Sequence, residues 1–146
     1  MSIYQLTWID IIIIAAVVIA GAAFGVWRFR KNFKVTARGF DVADTKKRWN
    51  ELMKLMEVKK TLNCKLAVIE ADKLLDSILQ EMKFDGETVG DRLKLAAFKF
   101  PKLKNVIWAH KMRNILVNDE NYFLKYTVAF KVLRLYRKAL KDLGAM

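Results

Sequence analysis

LNCKLAVIEADKLLDSILQEMKF, residues 62–84, places Val68, Ala71, Leu75, Ile78, Leu79 and Met82 at alternating three- and four-residue spacing. That period lines one arc of a helix with apolar groups and leaves Lys73, Gln80 and Lys83 on the other side. Asp85-Gly86 follows as a turn signal and is expected to stop the helix. A helix of this kind cannot bury its arc alone, so its neighbours decide the fold.

The neighbours read the same way. Asp44 or Thr45 is expected to cap a helix carrying Trp49, Leu52, Met53 and Met56, which ends near residues 58–63. Thr88 or its neighbours begin a shorter helix through Leu93, Leu95 and Phe98, ended by Phe100-Pro101, because the residue before proline is pushed out of the helical region. A fourth helix is expected over about 104–117. A fifth, over about 125–143, sets Ala129, Val132, Leu133, Tyr136, Leu140 and Leu143 inward and Lys131, Arg134, Lys138 and Lys141 outward. Amphipathic helices with tight connections predict an antiparallel bundle of four to five helices over residues 44–146.

Before the bundle lies LTWIDIIIIAAVVIAGAAFGVW, residues 6–27, with Asp10 as its only charge. Its length matches what a helix needs to cross roughly 30 Å of hydrocarbon. Tyr4, Trp8 and Trp27 stand where headgroup-level aromatics belong, and Arg28, Arg30, Lys31, Lys34 and Arg38 follow at once. The segment therefore predicts a transmembrane anchor (residues 1–30, span about 6–27) with the N-terminus outside. A basic connector at 31–43 contacts anionic lipid, and the bundle is cytoplasmic in a single-pass cell-membrane protein. Gly21 and Gly25 form a GxxxG pair suited to close approach of two anchors, hence to a homodimer.

Composition excludes more than it assigns. The 146 residues carry Lys+Arg 27 against Asp+Glu 15, and residues 28–60 hold eleven basic and four acidic side chains. One cysteine, Cys64, and one histidine, His110, leave too few ligands for a zinc site, so neither metal nor cofactor is expected. Glycine-rich phosphate loops, HExxH and CxxC motifs are missing from the sequence.

Chemistry concentrates in Trp108-Ala-His-Lys-Met-Arg-Asn-Ile-Leu-Val-Asn118. At 100° per residue Trp108, Ala109, Met112, Ile115 and Leu116 form an apolar arc, and Arg113 falls inside it. A guanidinium keeps its proton, so burial demands an anionic partner; Glu70 and Asp72 are the candidates for a buried ion pair. His110, Asn114 and Asn118 recur at four-residue spacing as a polar stripe, expected to be a solvated face or a groove lining.

Three ordered segments, Leu66–Asp76, Gly86–Leu93 and Trp108–Asn114, resemble small bacterial membrane-anchored proteins with a HEPN-like helical domain over about residues 44–146. The resemblance implies a helical bundle that often dimerises. It also implies, in many members, a metal-independent ribonuclease using an Arg, a polar residue, several variable positions and a His. Arg113 and Asn114 match the first two positions, whereas Asn118 stands in the place of the His. An amide cannot titrate, so proton transfer at the 2′-oxygen would lack its acid–base group unless His110, one turn before Arg113, supplied it. The expected function is thus a non-catalytic interaction or dimerisation module tethered at the cytoplasmic face, with an unidentified protein partner. RNA cleavage using Arg113, Asn114, Asn118 or His110, and RNA binding without cleavage, are the alternatives. RNA is the less favoured partner, because the basic outer face of the fifth helix has few aromatics for base stacking.

Overall fold

In the computed structural model, which describes residues 12–22, 24 and 40–146, Asp41 opens the first helix of the bundle. Its carboxylate accepts from the Ala43 N–H at 2.7 Å, and the Thr45 hydroxyl donates to its carbonyl at 3.1 Å. The cap thus lies upstream of the expected Asp44 or Thr45, because an aspartate in extended backbone can reach the N–H groups of the first turn. Helix α1 (Val42–Glu57) then buries Trp49, Leu52 and Met56.

Helix α2 (Thr61–Glu81) is the centre of the bundle. It buries Cys64, Ala67, Val68, Ala71, Asp72, Leu74, Leu75, Asp76, Ile78 and Leu79, an arc wide enough to meet α1 on one side and three further helices elsewhere. Asp85-Gly86 does not end it. Lys83 does, in the left-handed region at φ 59°, with its N–H on the Gln80 carbonyl and the Phe84 N–H reaching back to Leu79. These two bonds close a Schellman cap, which satisfies carbonyls the helix would otherwise leave open.

Thr88 caps α3 (Val89–Lys99) as the sequence predicts: its hydroxyl oxygen accepts from the Asp91 N–H and its O–H donates to the Asp91 carboxylate at 2.6 Å. A 3₁₀ turn (Pro101–Asn105) leads into α4 (Val106–Asn118), and α5 (Tyr126–Asp142) ends the bundle. The Lys65 ammonium donates to the Glu120 carbonyl at 2.7 Å, and the Tyr136 hydroxyl reaches Asp72. Helix α5 therefore runs beside α2 in the same direction, which corrects the expected antiparallel arrangement, because two intervening helices carry the chain back to the start of α2; α4 runs against both.

The structure settles the face of α3, which the sequence pattern leaves open, and corrects that of α4. Leu95 and Phe98 on α3 are 49% and 88% exposed, because Leu93, Ala96 and Ala97 occupy the side facing the core. On α4 the buried side runs through Val106, Ala109, His110, Met112 and Leu116, leaving Trp108 and Ile115 largely exposed. The sequence reading excluded His110 from the arc as polar, which rotated the predicted face away from the true one.

The expected single-pass transmembrane architecture is overturned. The chain divides into two compact units, Met1–Val35 and Thr36–Met146. Among the described residues no helix is long and apolar enough to cross a membrane. Within the expected span the structure describes residues 12–22 and 24, all of them helical. Among the described residues, nothing beyond its chain neighbours and its own helix backbone lies within 4 Å of a Cβ built at Gly21. Gly25, Asp10, the aromatics Tyr4, Trp8 and Trp27, and the basic cluster Arg28, Arg30, Lys31, Lys34 and Arg38 lie outside the described residues.

Candidate functional site

Helices α2, α4 and α5 converge on one carboxylate. Asp72, 1% exposed, has His110 Nδ1 at 2.9 Å and the Tyr136 hydroxyl at 2.8 Å, both on Oδ1. Its other oxygen, Oδ2, lies 3.3 Å from Arg113 Nε, without the alignment of a hydrogen bond. Asp72 and Arg113 therefore meet as a charge pair, while the two oriented bonds come from neutral groups. Burial, followed by the adjacent Asp72 carboxylate, drives the Tyr136 hydroxyl far above its ordinary value, so it stays protonated and donates.

The set closes into a ring. Arg113 Nη1 donates to Asn114 Oδ1 at 3.1 Å, and Asn114 Nδ2 lies 3.2 Å from His110 Nε2. A guanidinium has only donors, so the Asn114 oxygen must face Arg113 and its amide N–H must face His110. His110 Nε2 is then the acceptor, and the ring proton sits on Nδ1, pointing at Asp72. One arginine balances one buried carboxylate, and the neutral imidazole links them through the amide.

Of the sequence candidates, Arg113, Asn114, His110 and Asp72 are brought together. Glu70 is not: it pairs with Lys73 at 2.7 Å on the exposed side of α2. Asn118 is exposed at the end of α4, eight residues beyond His110, which is about 12 Å along the helix axis. Tyr136 was read as one more apolar group of α5. A tyrosine at the centre of a buried arc needs a partner for its hydroxyl, which was the available signal.

His110, Arg113 and Asn114 also line a cleft of about 480 Å³ with Thr88, Gly90, Lys94 and Lys111. Gly90 faces the imidazole, and a Cβ there would stand 3.5 Å from His110 Nε2, an ordinary contact. Val89, Leu93 and Ile107 add apolar lining, and of the ring only His110, Arg113 and Asn114 reach the cleft. Among the described residues no three of His, Cys, Asp and Glu gather so as to hold a metal ion.

A second clamp, which sequence reasoning missed, fixes the loop beside the cleft. Arg92 donates to both oxygens of Asp76, at 2.7 and 2.8 Å, and to the Gly86 carbonyl at 2.6 Å, while Gln80 donates to Asp76 at 2.7 Å. The Asp76 bonds hold the Arg92 guanidinium above its ordinary value. Sixteen residues separate the partners, beyond the reach of helical spacing rules. Compared with known family models, curated proteins and solved structures, the chain matches none, and the chemistry of the site rests on the geometry of these residues.

Proposed function

We propose that the chain is a non-catalytic helical interaction module of HEPN-like plan, in which Arg113, Asn114 and His110 lock the bundle instead of reacting. One observation carries this reading: every side chain suited to proton transfer at the site is engaged by another member of the ring. The His110 lone pair faces a donor, the Tyr136 hydroxyl is spent on Asp72, and position 118 carries an amide. A base that must first break a hydrogen bond is poorly equipped for metal-free phosphodiester cleavage.

Metal-independent RNA cleavage is the second reading, and it draws on the cleft. Lys94, Lys111 and Arg113 supply cationic groups beside a histidine backed by a buried aspartate. It requires Asn114 to leave His110 first. The deciding experiment incubates the full chain with single-stranded RNA in chelator, beside His110→Gln and Arg113→Ala proteins whose helicity matches the parent. Intact RNA throughout is the expected result. Cleavage by the parent that disappears in folded His110→Gln would replace the interaction module with a nuclease.

A further inference from the structure

The outer face of α3 carries apolar groups where a solvated helix should be polar. At 100° per residue, Leu95 and Phe98 stand diametrically opposite Leu93, Ala96 and Ala97, which face the core. Phe98 at 88% exposure is a large aromatic with almost no protein around it. Lys94 and Lys99 flank the pair on either side of the helix, and the following 3₁₀ turn adds exposed Lys102 and Lys104. Asp91 is the one acid of the face, and Thr88 and Lys94 hold its carboxylate, the latter at 3.5 Å.

We propose that this face is a docking surface for an anionic lipid bilayer, with Phe98 and Leu95 entering the headgroup boundary and the lysines resting on the phosphates. Four lysines against one aspartate give a local charge of the sign such a surface attracts. Lysines beside an apolar ridge can lay their stems along it and keep the ammonium groups at the headgroups. The Lys99 ammonium sits 5.7 and 5.8 Å from the ring centres of Phe84 and Phe100, which fixes one of the flanking charges. The aliphatic Leu95 favours lipid over a nucleic acid, which would stack bases on aromatic faces. This surface lies outside the Asp72 ring, and its standing is independent of whether the ring reacts.

The test places an environment-sensitive fluorophore on the full chain at Leu95→Cys; Cys64 is buried, so the label goes to the new thiol. Because the readout is local to α3, adsorption through the apolar stretch 6–27 does not pass for docking. With phosphatidylglycerol vesicles we expect a blue shift that phosphatidylcholine vesicles do not give. Each lysine neutralised, as in Lys102→Gln, should weaken it about fivefold at low salt. Adding Phe98→Ser should abolish it. The same response with both lipids, or with neither, overturns the proposal. A shift produced by a single-stranded RNA oligonucleotide without vesicles overturns it in favour of a nucleic-acid face. One that grows with protein concentration alone overturns it in favour of a second copy of the chain.

Discussion

Asn114 Nδ2 stands 3.2 Å from His110 Nε2, on the side of the imidazole away from Asp72. This contact sets the proton inventory of the site. His110 is the chain's one histidine, so its imidazole nitrogens give a single set of NMR signals. Near neutral pH these should show the tautomer protonated at Nδ1. Asn114→Asp presents the imidazole with an acceptor in place of the amide donor and should move its nitrogen signals. An unchanged nitrogen spectrum in that variant would show that the amide does not face the ring.

The Asp72–Arg113 pair should behave as a buried pair whose partners are costly to separate. Arg113→Met should cost about 3–5 kcal/mol in urea unfolding, because it strands the buried Asp72 carboxylate, and Asp72→Asn should cost less, because the Arg113 side chain stays a quarter exposed. The double variant should fall short of the sum by at least about 1 kcal/mol. Strict additivity would mean that the two residues do not sense each other.

Tyr136→Phe removes the hydroxyl donor to Asp72 and should cost about 1–3 kcal/mol at neutral pH. The parent should also lose stability above roughly pH 10, where an unfolded tyrosine ionises and the folded one does not. The folded hydroxyl is held above its ordinary value, so the native state keeps the proton longer and rising pH favours unfolding. Tyr136→Phe should flatten that alkaline decline, measured as thermal midpoint against pH.

Gly86 and Gly90 should respond to alanine with opposite signs. At Gly86 the backbone has φ +150° and a Cβ would lie 2.9 Å from the Arg92 nitrogen, so Gly86→Ala should cost about 1–3 kcal/mol. At Gly90 the nearest atom to a Cβ is His110 Nε2, at 3.5 Å, an ordinary contact. Gly90→Ala should stabilise the helix by about 0.4–1 kcal/mol through the unfolded chain. Thermal denaturation of both variants checks the pair.

The helices were legible because apolar spacing within one segment reports the face that segment buries. α2 and α5 followed from that pattern, and Thr88 announced the start of α3. What failed was whatever depended on a partner distant in sequence. His110 is buried because Asp72, thirty-eight residues away, satisfies it; hydropathy therefore placed Ala109, Met112 and Leu116 correctly and misassigned Trp108 and Ile115. Leu95 and Phe98 matched a helical apolar stripe, yet Ala96 and Ala97 already fill the short gap toward the core. Arg113 was readable as a residue in need of an anion, and Asp72 was among the acids named for it. That Asp72 and not Glu70 faces it depends on the rotation of α2 in the bundle. The anchor reading rested on length and hydropathy, and among the described residues no helix is long and apolar enough to cross a membrane.

Helix α1 makes extensive contact with α2 and with no other helix of the bundle, and only Val58–Lys60 joins the two. It should therefore open more readily than the rest, since its one large interface is built on Trp49, Leu52 and Met56. Its backbone amides should exchange with deuterium through a sub-global opening well below the free energy that guards α2, leaving the ring around Asp72 intact while one flank of α2 is bare. A bundle arranged in this way can lend that flank to another helix without unfolding the rest.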